Sequence, residues 1–433
     1  MDISYHQFVR LTKAGGFLYD GGRMKRTLLL TAAALLLLPC AAAEMPAPVA
    51  VPVPDSFSAR AKELLADSIP LVPSAHQVNV VYFVPSDMEP YADYERRLSE
   101  LLLYLQQFYG KEMTRNGYAN RSFGLKRRAD GMVDIILIRG KEPQSVYADE
   151  KERGWEKEAK EVEAYFAAHP GTKASEHTFF LAPVPATADI VHGNPGGWAF
   201  HGDGTNCYAI DYPDFELKHI GHEDREGKLL TLWFGGFAHE LGHGLNLPHN
   251  NGTKPQNEAM GTALLANGNY TFGSKPTYLT KASCDILDCS QTFLPAGIEI
   301  KPYADHPYSE AQNVQLTFDG EALNLKMSVW GAKHINAYVQ DPPFVINRDY
   351  DAVAFPVTIG DTENEEGYYT AEVRMPLSDL GDLHETGKGK QCVDVLLIRE
   401  DGTRNRLRME FDWANVKQGE PIPATSFTLL EGY

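Results

Sequence analysis

Two hydrophobic rhythms divide this chain. Between Val78 and Leu245, short apolar runs alternate with stretches whose apolar residues fall three and four apart. The nearly unbroken run Val78–Val84 reads as a buried strand. It is followed by a helix on which Tyr94, Leu98, Leu101, Leu105, Phe108 and Tyr109 share one face. Val133–Ile138 reads as a second strand, Glu152–Ala168 as a charged helix and His177–Ala182 as a third strand. An irregular stretch, 183–204, leads to a short strand at Asn206–Asp211, taken as the sheet edge, and then to a helix from about Gly227 to Leu245. Strands alternating with helices predict a parallel or mixed sheet covered by helices. From about Ala311 the period becomes two: Val314, Leu316 and Phe318, then Leu323, Leu325, Met327 and Val329, with the same alternation through Tyr369–Val373, Val393–Leu397 and Leu407–Phe411. Short alternating strands predict a β-sandwich. The expected fold is therefore α/β (α+β) over 75–300, followed by a C-terminal β-sandwich over 311–433, with the boundary between Pro295 and Ala311. Gly235 and Gly236 inside the last helix cost about 1 kcal/mol each relative to Ala, so close backbone packing is expected against them.

Ahead of these elements the pattern changes. Residues 44–74, rich in Pro and Ala with one short helix, read as a tether. Met24-Lys25-Arg26, the apolar run Thr27–Leu38 and Ala41-Ala42-Ala43 make a secretory signal over 24–43, cut near Glu44. The run is too short to span a bilayer. Residues 1–23 read as lying upstream of the true start. Charge narrows the partners: 40 Lys and Arg stand against 58 Asp and Glu, a net −18. Without the first 43 residues, which hold five basic and two acidic side chains, 35 stand against 56, a net −21. That balance argues against nucleic acid and anionic membrane as partners. No second long apolar stretch suggests a membrane span. An exported protein is expected, whether secreted, periplasmic or at the cell surface, and a monomer. In such a protein Cys207 is expected to pair with Cys284 or Cys289, leaving Cys392 unpaired and buried.

The chemistry is concentrated in His239-Glu240-Leu241-Gly242-His243-Gly244-Leu245-Asn246-Leu247-Pro248-His249. Residues four apart lie on one helix face, so His239 and His243 can offer imidazole nitrogens to one metal ion. His249 is six residues further on and can join them only if the chain leaves the helix and folds back. Asn246 is the expected turning point, because asparagine tolerates positive φ better than residues other than glycine. Glu240 is not a ligand in this arrangement. It stands where a carboxylate can take a proton from a metal-activated water. The pattern resembles the metzincin signature, with Asn246 in place of the commoner Gly, and implies a metzincin-like zinc peptidase domain with Zn2+ held by His239, His243 and His249.

A narrower resemblance runs along nearly the whole mature chain. Asp93-Tyr94-Glu95-Arg96-Arg97-Leu98-Ser99-Glu100-Leu101-Leu102, Asn194-Pro195-Gly196-Gly197, Asp211-Tyr212-Pro213, Gly261-Thr262-Ala263-Leu264, Gly268-Asn269-Tyr270-Thr271-Phe272-Gly273 and Gln340-Asp341-Pro342-Pro343 are similar to the bacterial O-glycopeptidase family. The resemblance implies an endopeptidase that cuts mucin-type O-glycoproteins N-terminal to an O-glycosylated Ser or Thr, favouring short asialo glycans. In that register Leu265 takes the place of the methionine that metzincins set in a turn beneath the zinc, and Met260 falls elsewhere. Candidate substrate contacts are Phe200 and Trp198, whose rings either meet glycan or peptide or plug their loop, Tyr208, equally suited to core or cleft, and Tyr270, whose phenol could stabilise an oxyanion. His192, His201, His219 and His222 read as surface or structural. Two other readings stand beside this one: a metzincin indifferent to glycans, and a mucin-binding protein that no longer cuts. Retention of Glu240 speaks against the second.

Overall fold

The segment read as a tether lies packed on the domain that follows. Its apolar side chains Phe57, Leu71 and Val72 are buried, as are Ala61 and Leu65 of helix α1 (Ala59–Leu65). Ser58 caps that helix by accepting from Ala61 N–H, and its own N–H and hydroxyl donate to Glu100 at 2.6 and 3.0 Å. The structure, a computed structural model, describes residues 45–431 apart from 150, 186–187, 299–302, 304–308, 343–349, 382 and 384–385, with the backbone alone at 426–431. The readings of 1–23 and 24–43 lie outside these residues, as does much of the boundary between Pro295 and Ala311.

The α/β half proceeds through β1 (Gln77–Val84), α2 (Tyr94–Arg115), β2 (Gly124–Leu125), β3 (Ile135–Arg139), α3 (Gln144–Tyr147), α4 (Gly154–Ala168), β4 (Thr178–Pro183), β5 (His201–Asp203) and β6 (Asn206–Asp211). β1, β4 and β6 are parallel neighbours, and β2 and β3 pair with successive stretches of β1. The edge strand is not Asn206–Asp211, as the sequence suggested, but β5, which runs antiparallel to β6. The two-residue turn Gly204-Thr205, with Gly204 at φ 54°, folds the chain back tightly enough to add three residues that no periodicity marks. Helix α5 (Arg225–Gly244) packs on this edge, and α6 (Lys254–Met260), β7 (Thr262–Ala263), β8 (Thr277–Tyr278) and α7 (Lys281–Leu287) follow it.

Among the described residues, nine strands make the sandwich: β9 (Glu310–Phe318), β10 (Ala322–Trp330), β11 (His334–Gln340), β12 (Val353–Pro356), β13 (Thr358–Glu363), β14 (Tyr369–Pro376), β15 (Lys390–Ile398), β16 (Arg404–Asp412) and β17 (Thr425–Glu431). They form antiparallel sheets ordered β13-β14-β10-β9 and β12-β11-β15-β16-β17. Leu323, Leu325, Met327 and Val329 meet Ile335, Ala337, Val393, Val395 and Leu397 between the sheets, as alternation requires. The five-stranded sheet is also buried on its other face. Tyr338, Ala354, Leu396 and Ile398 join the core of the α/β half, and among them Asp394 is paired with Arg406 and Arg408. The sandwich is therefore fused to the α/β half through a sheet covered on both sides.

The expected Cys207 disulfide is absent. Cys207, Cys284, Cys289 and Cys392 are all buried and free, because the first three pack into different contacts: Cys207 against Gly244 of α5, Cys284 against Asn116, the C-cap of α2, at 3.3 Å, Cys289 beside the Asp288 ion pairs. Among the described residues no helix is long and apolar enough to cross a membrane.

Candidate metal centre and active site

Helix α5 starts on Asp224, whose side chain accepts from Gly227 N–H at 2.8 Å. Its two internal glycines are explained by close neighbours. A Cβ on Gly235 would lie 2.0 Å from Asn269 O, and one on Gly236 would lie 2.7 Å from the Phe200 ring. Tyr109 of α2 fixes the helix further by donating to Ala238 O at 3.0 Å. The helix ends in a Schellman closure: Leu247 N–H donates to Gly242 O and Asn246 N–H to His243 O, both at 2.9 Å, with Asn246 at φ 66°. That is the turn the sequence required for His249 to return.

The return brings three nitrogens together. The Nε2 atoms of His239, His243 and His249 are 3.1 Å from one another. His239 donates from Nδ1 to Leu264 O and His243 from Nδ1 to Leu247 O, each at 2.7 Å. With those protons on Nδ1, two Nε2 lone pairs face each other, an arrangement that a shared cation would relieve. The spacing fits: tetrahedral bonds of about 2.0 Å need nitrogens roughly 3.3 Å apart. Burial lowers His239 to about 4. Burial and the two neighbouring imidazoles hold His243 well below its usual range. Both rings are thus neutral at pH 7, the state in which imidazole ligates. This group can hold a metal ion.

Glu240 does not join the triangle. Its Oε2 accepts from Gly202 N–H of β5 at 2.8 Å, and burial pushes its carboxyl up to about 7 against that hydrogen bond. Gly202 is in close contact here, since a Cβ would lie 2.1 Å from Glu240 O. Beneath the helix, Leu265 is buried, its Cδ atoms 3.0 and 3.1 Å from where a Cβ on Gly242 would stand. Met260 lies away from the site, its Sδ 2.9 Å from Arg115 Nη1. The register that put Leu265 under the metal helix is the observed one.

No protein-family model matches the chain, and no curated protein matches it. Solved structures do. Catalytically inactive OgpA from Akkermansia muciniphila, in complex with an O-glycopeptide (glycodrosocin) substrate, is 40% identical with a TM-score of 0.76, over 85% of this chain and 99% of that one. Wild-type OgpA gives 41% identity and a TM-score of 0.75, over 82% and 98% of the two chains. The chain belongs to the O-glycopeptidase family. A match of that extent takes in both the α/β half and the sandwich.

In this O-glycopeptidase the aromatic candidates separate. Tyr208 is buried and stacked on Phe180 with centroids 4.6 Å apart. Trp198 is buried as well. Both are core residues, which corrects their reading as substrate contacts: a ring in a glycine-rich loop or on an alternating strand carries no mark of which way it faces. Phe200 is half-buried, edge-on to Trp233 at 5.0 Å. Tyr270 is 64% exposed and borders a cavity of about 350 Å³ with Lys228, Thr231 and Leu232 of α5. His201 packs on Tyr208 and Trp155, and His192 is exposed beside Asp189.

Tyr350 carries no mark in the sequence. This half-exposed residue before β12 sets its ring 3.8 Å from that of His249 and 5.8 Å from that of His239. Burial, with Glu240 and Tyr270 nearby, raises its phenol above the usual range. Gly202 was missed with its strand. A second donor group, Asp288, Cys289 and His334, is already an ion-pair knot between the two halves. Asp288 meets Arg121, Lys333 at 2.8 Å and His334 at 2.7 Å, and two fixed cations oppose a third.

Proposed function

We propose that this O-glycopeptidase is an exported zinc endopeptidase that hydrolyses mucin-type O-glycoproteins N-terminal to a Ser or Thr carrying a short, asialo O-glycan. The supporting observation is the triangle of Nε2 atoms with Glu240 beside it, in a chain 40% identical to an enzyme crystallised with an O-glycopeptide substrate. Three converging imidazole nitrogens are a donor set that suits zinc. Zinc bound there lowers the pKa of a water towards about 7 and polarises a carbonyl.

The chain's own residues do the rest. Gly202 N–H holds Glu240 Oε2, leaving Oε1 to take the proton of the attacking water as the C–O bond forms. The same carboxyl returns a proton to the amide nitrogen as the C–N bond breaks, so one water is consumed and two peptides leave. β5 is the sheet edge beside this carboxylate, where an extended peptide can lie along the strand. A net charge of −18 disfavours anionic glycans.

The test is a mucin-type glycoprotein digested in three forms: sialylated, desialylated, and stripped of O-glycans. The desialylated form should be cut fastest, with new N-termini at glycosylated Ser or Thr, and the stripped form should resist. Cleavage of the stripped form would leave a peptidase indifferent to glycans, and cleavage of none a binding protein.

A further inference from the structure

His239 and His243 take their places from α5, but His249 stands on a loop, 246–251, that leaves the helix. This loop is held by both halves, and the C-terminal sandwich meets it at three points. At its start, Arg404 of β16 donates from Nη1 to Asn246 O at 2.7 Å, and Arg404 is only 7% exposed. At its end, Asn251 N–H donates to Ala352 O at 2.7 Å and Asn251 O accepts from Ala354 N–H at 3.0 Å. These two bonds pair Asn251 with Val353 and lay the loop along β12. Between the anchors, Tyr350 on the approach to the same strand packs its ring 3.8 Å from that of His249. Start, middle and end of the loop are each met by one sheet of the sandwich. The α/β half holds the residues between: Leu247 O accepts from His243 Nδ1 at 2.7 Å, and the Asn250 side chain accepts from Thr280 Oγ1 at 2.6 Å and donates to Ser283 Oγ at 3.0 Å.

We propose that Arg404 and Tyr350 are positioning residues for the third metal ligand, so that the sandwich forms part of the metal centre. The inference rests on reading the three histidines as a metal site. A ligand on a loop binds tightly only if the loop is held before the ion arrives, and groups that hold a ligand from behind are typically worth about 10- to 100-fold in metal affinity. Arg404 acts through the Asn246 carbonyl, at the residue whose positive φ turns the chain. Tyr350 acts through ring packing, which a phenylalanine would keep.

The test is zinc affinity of the full chain by competition with a chromogenic chelator, which requires no substrate. Arg404→Ala and Tyr350→Ala should each weaken zinc binding about 10- to 100-fold, and Tyr350→Phe should bind like the parent. In a His249→Ala background neither alanine change should weaken binding further, because the ligand they position is gone. If Arg404→Ala does not fold, Arg404→Lys carries the same comparison, with weaker binding expected only when His249 is present. Unchanged affinity in the single variants, or an equal loss with and without His249, would overturn the positioning role while leaving the metal site standing. A parent chain that binds no zinc would overturn both.

Discussion

Glu240 is next to His239 in sequence yet bonded to Gly202 in space, so the proposed mechanism separates proton transfer from metal binding. Glu240→Gln should therefore retain zinc while slowing cleavage by at least about 10²- to 10⁴-fold. Metal content measured beside activity checks this, and loss of zinc would show Glu240 to be structural. Leu265 shows a different tolerance. It fills the space beneath Gly242 as a methionine would, so Leu265→Met should change stability by less than about 1.5 kcal/mol and leave activity in place, as chemical denaturation and a cleavage assay would show. Glu158 of α4 is fully buried, and its Oε1 meets no hydrogen-bond donor among the described residues. Burial pushes its carboxyl from 4.5 up to about 8. The folded state then binds more protons than the unfolded one between those values, so this group's contribution declines as pH rises from about 4.5 to 8. Glu158→Gln should gain about 1–3 kcal/mol at pH 7 and flatten that slope; an unchanged denaturation midpoint at pH 5 and pH 8 would refute it. At this scale the convergence of His239, His243 and His249 was legible because spacings of four and six admit few geometries. Trp198 and Tyr208 were not, because burial of an aromatic ring depends on neighbours remote in sequence.

At the scale of elements, helix α5 and its exit were readable and β5 was not. Apolar spacing marks a helix of 20 residues, and the need to return His249 marks Asn246. A strand of three residues is too short to show a period, and its position beside Glu240 follows from a turn at Gly204. The exit makes its own prediction. Asn246→Gly should change stability by only a few tenths of a kcal/mol, whereas Asn246→Val should cost about 1–2 kcal/mol, because a β-branched residue resists positive φ. The valine variant should also weaken zinc binding, since Leu247 O, which holds His243, lies just past the turn. Thermal melts with and without zinc would check both. β16 shows another limit of pattern. Arg404, Arg406 and Arg408 alternate with Leu407, Met409 and Phe411, yet all three arginines are buried. Their partners are Asp394, opposite on neighbouring β15, and Asn246 O in the other half of the chain.

Across the whole molecule, alternation announced a sandwich but not that its five-stranded sheet is covered on both faces. Tyr338, Leu396 and Ile398 share a core with the α/β half, and the Asp288 knot, Asn336 bonded to Ala282 O, and Arg404 bonded to Asn246 O cross the same boundary. Two halves joined in this way should unfold together, as one calorimetric transition; two well-separated transitions would show the sandwich to be an independent module. The fused sandwich places Tyr350 against the rings of His249 and His239, so the candidate site draws on both halves. Glycan dependence of cleavage is the property that ties this geometry to function. Its most direct measurement compares two synthetic peptides of one sequence, one carrying a galactose-GalNAc disaccharide on a single Thr, with products mapped by mass spectrometry. An O-glycan-dependent zinc endopeptidase cuts the glycopeptide at the bond before that Thr, leaves the bare peptide intact and stops when zinc is chelated. Equal cleavage of both peptides, or a cut away from the glycosylated residue, would contradict it.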